Sequence, residues 1–281
     1  MSNENVLKKS GFPPERLGIS GLTGNQIKYI AAAMMLIDHV YQMFAAYGAP
    51  SWLDWLGRPV APIFLFMLAE GFYYTRSKGK YLLHLFIGSE LMNIANYLLS
   101  IWVPNNNAAL INNIFSTFFI TALYMFCADM IKSGVKEKKA GKIALSVLLM
   151  LAPVAGSALV LFVINGGVAL SAWLVIAATA IPNLITLEGG FLFVILGLLF
   201  YLLRNKRLLQ ALPLVAFSAY CFFAGAYDIE WMAIFALVFL LLYNGKRGGG
   251  SPAFNKYFFY VFYPAHIYIL YIISALMQKT A

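Results

Sequence analysis

The sequence predicts an all-α, polytopic membrane protein with about nine to ten transmembrane helices around a central polar cavity. The chain is 62% hydrophobic and 11% charged, whereas soluble domains are ~45–50% apolar and ~25% charged. Apolar runs recur from residue 27 to residue 277, and ~20 such residues suffice for a helix to cross a bilayer. Polar side chains interrupt several runs, and because lipid excludes them we expect them to face one another.

Residues 1–26 are predicted to form a cytoplasmic N-terminal segment, and residues 27–277 a single transmembrane domain. The segment is polar and basic. The apolar run after it is too long for a signal-peptide core and is followed by no small-residue cleavage site, so we expect a retained helix. Thr23 and Gln26 have capping-box spacing, which predicts that this helix begins near Gly24.

The apolar runs define ten candidate spans, at residues 27–47, 59–75, 81–103, 109–131, 142–163, 166–187, 189–203, 208–226, 229–243 and 256–277. Basic residues are enriched on the cytoplasmic side of membrane proteins, which places the N-terminus in the cytoplasm. If all ten runs crossed, the basic clusters at 204–207 and 246–256 would lie outside. One run is therefore expected not to cross, either 166–187, which Pro182 interrupts, or the short 189–203.

The net charge of +9 indicates basic cytoplasmic rims that orient the protein and attract anionic membrane lipids. No nucleic-acid partner is expected, because the sequence has no basic domain or recognition module. Cys127 and Cys221 each lie inside an apolar run and provide neither a disulfide framework nor a metal-ligand set. We therefore expect no metal.

The first span holds three residues of chemical interest, Lys28, Asp38 and His39. A charged group inside a bilayer costs at least ~2.5–3.5 kcal/mol, so such residues usually mark a functional site. Eleven steps of ~100° return His39 to the helix face of Lys28, ~16 Å further along. The spacing predicts a surface cation in line with an imidazole near mid-depth. Asp38 points ~100° away from His39, so we expect it to pair with Arg58, whose alternative partner is Asp54.

Other polar residues lie inside the later spans. Glu70 lies in the second span and His266 in the last. Two polar stripes mark the third and fourth spans, formed by Glu90, Asn93 and Tyr97 and by Asn113, Thr117 and Thr121. Stripes of Asn and Thr more often make interhelical hydrogen bonds than bind ligands. His84 lies at the cytoplasmic edge of its span, where a partly hydrated imidazole is unremarkable.

Four stretches of the chain resemble one family of bacterial membrane proteins. They are LTGNQIKYIAAAMMLIDHV, LGRPVAPIFLFMLAEGFYYTRSKGKYLLHL, WMAIFALVFLLLYNGKRG and KYFFYVFYPAHIYILY. Together they resemble the TraX family, which is associated with N-acetylation of conjugative pilin. The chain is also similar to larger membrane acyltransferases whose first helix carries a basic residue, ten further residues and then a histidine, and Lys28 and His39 fit that spacing.

The resemblance implies an acyl-CoA-dependent N- or O-acetyltransferase in the bacterial inner membrane. It implies acetyl-CoA as donor, His39 and Asp38 as catalytic residues, and an amine or hydroxyl acceptor on a pilin or peptide N-terminus, a lipid or a glycan. A basic cytoplasmic rim suits the phosphates of coenzyme A, and the residues assigned to it are Lys28, Arg76, Lys78 and Lys80. The residues assigned to the acceptor or the oxyanion are Arg58, Glu70 and His266.

The sequence leaves two questions of mechanism open. His39 acts either as a general base, for which an imidazole pKa of ~6.5 is suitable, or as a covalent carrier of the acyl group. A proton-coupled secondary transporter would also use intramembrane acids and histidines, but it typically shows internal repeats with paired broken helices, and we find no repeat. A non-catalytic scaffold would leave both Asp38 and His39 without a purpose.

Overall fold

The computed structural model describes residues 21–165, 180–225 and 229–280. Its helices are α1 (Gly24–Phe44), α2 (Trp52–Gly57), α3 (Val60–Tyr74), α4 (Lys78–Trp102), α5 (Ile114–Glu137), α6 (Ala140–Asn165), α7 (Gly190–Leu202), α8 (Arg207–Ala224), α9 (Ala236–Leu242) and α10 (Pro252–Thr280), with 3-10 helices at Ala45–Tyr47 and Glu230–Phe235. In these ranges, the β-type backbone pairing consists of one isolated parallel bridge between Leu22 and Tyr243.

Seven helices of the described ranges are long and apolar enough to cross a membrane, and they lie within Gly24–Tyr47, Trp52–Tyr74, Lys78–Trp102, Ile114–Glu137, Ala140–Val163, Arg207–Ala224 and Ala253–Lys279. Two shorter apolar helices are Gly190–Leu202 and Glu230–Leu242. The chain is therefore an all-α, multi-pass membrane protein, as predicted. Most of the expected non-crossing segment 166–187 falls outside the described residues, and its described part, which holds Pro182, is not helical.

The start of α1 is fixed by its own cap and by a distant loop. Thr23 and Gln26 form the predicted capping box, in which each side chain accepts from the backbone N–H of the other residue. Two more N–H groups of the first turn donate to the carbonyls of Lys246 and Arg247, both at 2.9 Å. The basic loop before α10 therefore lies at the start of α1, which agrees with the charge-based prediction that both lie on one side of the membrane.

The described residues divide into two compact units. Unit 1 contains those within Met1–Glu70, Val103–Leu110 and Leu199–Ala281, and unit 2 contains those within Gly71–Trp102 and Ile111–Leu198. The interpretation of residues 27–277 as one domain stays a prediction.

In unit 1, α1 and α10 lie side by side and run in the same direction. Near their starts, Tyr29 Oη donates to Asn255 Oδ1 at 2.6 Å. Near their ends, Ser274 Oγ donates to the carbonyl of Met43 at 2.7 Å. Parallel packing lets residues far apart in the chain meet at equal depth, and the candidate site depends on it.

In unit 2, α5, α6 and the segment 184–198 pack around an apolar cluster of Ile120, Tyr124, Leu187 and Val194. The predicted polar stripes join α5 to its neighbours. Asn113 caps α5 and donates to the carbonyl of Ser89 at 3.0 Å, and Thr117 donates to the carbonyl of Glu188 at 2.8 Å. The stripe thus ties α5 to α4 through Asn113 and to the loop before α7 through Thr117, while Thr121 donates to the carbonyl of Thr117 within α5.

Candidate functional site

Two imidazoles from opposite ends of the chain meet inside unit 1. His39 on α1 and His266 on α10 approach to 2.6 Å between Nδ1 of the first and Nε2 of the second. Their rings lie 24° apart in plane, with centroids separated by 4.8 Å. Only 2% of His39 and 6% of His266 is exposed. The chain has three histidines, and two of them form this buried pair.

The backbone of α10 fixes which nitrogen of each ring carries a proton. Nδ1 of His266 lies 2.6 Å from the carbonyl oxygen of Phe262. A carbonyl only accepts, so His266 donates from Nδ1 and, when neutral, accepts at Nε2. The proton shared between the rings then belongs to Nδ1 of His39. In this tautomer, the basic nitrogen of His39 is Nε2.

Two aromatic rings of α10 pack against the imidazole pair. The Phe262 ring stacks on His266 with a centroid separation of 4.7 Å and a plane angle of 17°. Tyr263 presents its ring edge-on to both imidazoles, at 6.2 Å from His39 and 5.9 Å from His266. These contacts hold the rings in one arrangement away from lipid.

Beside the pair, one guanidinium contacts three carboxylates. Arg58 Nη2 lies 3.1 Å from Asp38 Oδ1 and 2.6 Å from Asp54 Oδ1, and Nη1 lies 2.9 Å from Glu230 Oε2. The predicted pairing of Asp38 with Arg58 is confirmed, and the alternative pairing with Asp54 is present as well. With all three acids ionised, this acidic cluster of Arg58, Asp38, Asp54 and Glu230 carries a net charge of −2.

Two further residues hold the Asp38 carboxylate. Gln42, one turn later on α1, donates from Nε2 to Asp38 Oδ2 at 2.8 Å. Gly57 leaves the space that the carboxylate occupies, since a Cβ at this position would lie 2.2 Å from Asp38 Cγ. The orientation of Asp38 therefore depends on the absence of a side chain at residue 57.

The position of His39 along α1 follows from the ends of the helix, whereas its depth in the membrane stays a prediction. α1 begins at Gly24 and ends at Phe44, so His39 lies fifteen residues from its start and five from its end. The helix starts at the predicted residue but ends earlier than the apolar run, because a 3-10 turn replaces its last residues. The imidazole is thus nearer the far end of α1, while Lys28 remains ~16 Å from it.

Lys28 lies at the opposite end of this helix face. Its ammonium is 5.8 Å from the ring centroid of Phe259 on α10. Phe259 and His266 are seven residues apart, so Lys28 and His39 both contact one face of α10. The described residues give Lys28 no ion pair with an acid, and Arg247 is its electrostatic neighbour.

The other residues assigned to coenzyme A lie in unit 2. Lys78 forms an ion pair with Asp129, and its ammonium lies 4.7 Å from the ring centroid of Phe72. Arg76 and Lys80 are exposed. Their assignment to coenzyme A stays a prediction.

Glu70, assigned to the acceptor, lies in unit 1. Its carboxylate is 3.7 Å from Nη1 of Arg207, which also contacts the rings of Phe66 and Tyr243. Among the described residues, no group of three or more His, Cys, Asp and Glu side chains is arranged to hold a metal ion.

Comparison with known proteins identifies the chain's relatives. A family model described as TraX protein matches residues 23–274. The chain belongs to the TraX family. A similar protein is a probable fimbrial assembly protein FimC, serogroup H1, from Dichelobacter nodosus, which is 25% identical over 251 residues and covers 87% of this chain and 93% of that protein. No solved structure gives a significant match to this member of the TraX family.

Several residues of the site were missed in the sequence. Sequence patterns assign no role in the site to Glu230, Gln42 or Gly57. His266 was named as an acceptor or oxyanion residue, not as the partner of His39. One signal for that pairing exists, because a histidine buried in an apolar helix needs a polar neighbour, and the other intramembrane histidine is the candidate of matching chemistry.

Proposed function

We propose that this TraX-family protein is a membrane acyltransferase that moves an acetyl group from cytoplasmic acetyl-CoA to an amine or hydroxyl acceptor. The observation that carries the proposal is the buried pair of His39 and His266, with Nε2 of His39 as the basic nitrogen. A buried imidazole pair of defined tautomer suits general base catalysis.

In the proposed reaction, Nε2 of His39 takes the proton of the acceptor while the acceptor nitrogen or oxygen attacks the thioester carbon. The C–S bond breaks, a C–N or C–O bond forms, and the proton is returned to the thiolate of coenzyme A. During the step, the Nδ1 proton of His39 shifts toward Nε2 of His266, so the positive charge is shared by both rings. With its three acids ionised, the neighbouring acidic cluster stabilises that charge, since its net charge is then −2.

The donor is proposed to bind at the start of α1. Lys28 has no acidic partner among the described residues, and it lies beside Arg247 of the loop that caps the helix. A lysine ammonium without an acidic partner, next to a second cation, suits the phosphates of coenzyme A. The thioester would then reach ~16 Å along α1 to His39, and because His39 is 2% exposed the proposal requires donor binding to open a path beside it.

For the acceptor, we favour the N-terminal amine or a hydroxyl of an exported fibre subunit. The similar protein of Dichelobacter nodosus is described as a probable fimbrial assembly protein, and the TraX resemblance implies acetylation of pilin. A lipid or glycan acceptor fits the same chemistry.

The test is purified protein in liposomes, incubated with labelled acetyl-CoA and a membrane extract, with coenzyme A release and label transfer measured. We expect His39→Ala to abolish both signals. His84→Ala, which changes the exposed histidine of unit 2, is the matched control and should keep them. Label transfer that survives His39→Ala in a folded protein would refute the proposal.

A proton-coupled transporter is the second candidate, favoured by the acidic cluster beside two imidazoles inside the membrane. It predicts saturable, pH-driven solute flux into the same liposomes without thioester cleavage. Coenzyme A release that depends on His39 would exclude it as the primary activity.

A further inference from the structure

Unit 2 contains a small cleft that shares no residue with the imidazole site. It is formed between α4, α5 and the segment 181–186, and its volume of about 10 Å³ has room for one group the size of a water molecule or an ammonium, with an open mouth beyond it. Its polar lining includes Glu90, Asn93 and Ser116, and its apolar walls include Phe86 and Phe119.

Glu90 is the unusual member of this lining. It is the thirteenth of the 25 residues of α4 (Lys78–Trp102), so it lies ~18 Å from either end of a membrane-spanning helix. Its described hydrogen bond is a long one, 3.4 Å from Nδ2 of Asn93, and the described residues offer it no cation. A half-buried acid at that depth indicates a functional site.

Hydrogen bonds within the protein fix the roles of two other polar side chains of the cleft, Ser116 and Asn93. The Ser116 hydroxyl gives its proton to the carbonyl of Asn113 at 2.7 Å, so toward a ligand it can only accept. Asn93 accepts at Oδ1 from Asn113 at 2.7 Å and directs its amide toward Glu90. Glu90 and Ser116 can therefore only accept from a ligand, which favours a ligand that donates.

The aromatic walls restrict the ligand further. Phe86 lies one turn before Glu90 on α4, and its ring centroid is 5.2 Å from that of Phe119 on α5. Aromatic faces attract cations, and a carboxylate in a cleft lined by two such rings favours a cation that also donates hydrogen bonds. An ammonium group has three donors and no acceptor.

We propose that this cleft binds the ammonium group of a primary amine, with Glu90 as its counter-ion and Phe86 and Phe119 as its walls. The amine belongs either to a soluble molecule or to a lipid headgroup such as ethanolamine. The inference is independent of acyl transfer, because the two sites have no residue in common.

The test uses the full chain in nanodiscs of phosphatidylglycerol and two probes, n-butylammonium and its uncharged counterpart 1-butanol. Binding is measured by saturation-transfer NMR. We expect butylammonium to bind and butanol not to. Glu90→Gln should weaken butylammonium binding by about tenfold or more, since a charge-assisted hydrogen bond is lost, and Phe119→Leu by about two- to fivefold.

Glu137→Gln is the matched control, because Glu137 is an acid at the exposed end of α5, paired with Lys139 and Lys142. It should leave affinity unchanged. Equal affinity in the native chain and Glu90→Gln, or equal binding of butanol, would overturn the proposal. The Tm of the ligand-free protein separates a structural acid from a ligand-binding one. If Glu90 is purely structural, Glu90→Gln will lower this Tm. If Glu90 binds a ligand, Glu90→Gln should leave this Tm unchanged, because the described residues give Glu90 no cation to lose.

Replacing phosphatidylglycerol by phosphatidylethanolamine in the nanodiscs distinguishes a lipid headgroup from a soluble amine as the natural ligand. If the headgroup is the ligand, it will suppress butylammonium binding, and native mass spectrometry will retain the lipid on the native chain but not on Glu90→Gln. If a soluble amine is the ligand, butylammonium will bind equally in both discs.

Discussion

The space beside Gly57 offers the sharpest test of how the acidic cluster is held. We expect Gly57→Ala to displace the Asp38 side chain. The added Cβ would lie 2.2 Å from Asp38 Cγ, 2.3 Å from Oδ1 and 2.6 Å from Cβ, whereas carbon atoms pack at ~3.5–4.0 Å. The carboxylate must therefore move by more than 1 Å, which breaks its contacts with Arg58 at 3.1 Å and Gln42 at 2.8 Å.

The expected effect on stability follows from this displacement. Overpacking costs ~1–3 kcal/mol, and the loss of a part-buried ion pair adds to it. We therefore expect Gly57→Ala to lower the free energy of unfolding by about 2–4 kcal/mol. The assay is urea-induced unfolding in mixed micelles, followed by tryptophan fluorescence.

The control is Gly79→Ala on α4. A Cβ at residue 79 meets nothing within 4 Å, and alanine stabilises an exposed helix relative to glycine by ~0.5–1 kcal/mol, so this variant should be as stable as the native chain or more. Asp38→Gly supplies the double-mutant cycle, because it removes every atom in the clash. Gly57→Ala should then cost little in the Asp38→Gly background, and the reasoning fails if its cost there equals its cost in the native chain.

Three other predictions concern the same unit. Arg58→Leu leaves three carboxylates without their cation, so we expect the free energy of unfolding to fall by ~3–5 kcal/mol, and a variant as stable as the native chain in urea would contradict the role given to the guanidinium. Thr23→Ala removes the cap of α1 and should cost ~1 kcal/mol, while Thr23→Ser should restore it in the same assay. Under the proposed donor site, Lys28→Glu should raise the KM for acetyl-CoA more than it lowers kcat. Lys279→Glu makes the same charge change at the end of α10 and should leave KM unchanged, and an equal rise in both variants would remove the site at the start of α1.

Local signals in the sequence predicted local structure well. The capping box placed the start of α1 because Thr23 and Gln26 are three residues apart and satisfy each other's N–H groups. The pairing of Asp38 with Arg58 followed from helix geometry and from the cost of a lone charge in a span. Both inferences concern neighbours within about twenty residues.

Long-range contacts could not be predicted in the same way. His39 and His266 are 227 positions apart in the chain, and they meet because α1 and α10 run parallel. No periodicity in either helix records that direction. Glu230 joined the acidic cluster for a similar reason, since only the packing of the 3-10 helix Glu230–Phe235 brings it to Arg58.

The loop that caps α1 shows a third kind of limit. In the sequence, the three glycines at 248–250 are typical of a connector. In the structure, Gly248 has a φ of +94°, a conformation that favours glycine, and the preceding carbonyls turn toward the first turn of α1. That use of backbone groups leaves no side-chain signal in the sequence.

The central claim is that His39 and His266 act as one unit in acyl transfer, and a kinetic double-mutant cycle tests it most directly. Initial rates of coenzyme A release would be measured for the native chain, His39→Ala, His266→Ala and the double variant in liposomes. We expect each single variant to lose at least ~100-fold in kcat, and the double variant to lose no more than His39→Ala alone, because residues that act together are not additive. Independent, multiplicative losses, or a native rate in His266→Ala, would contradict the account.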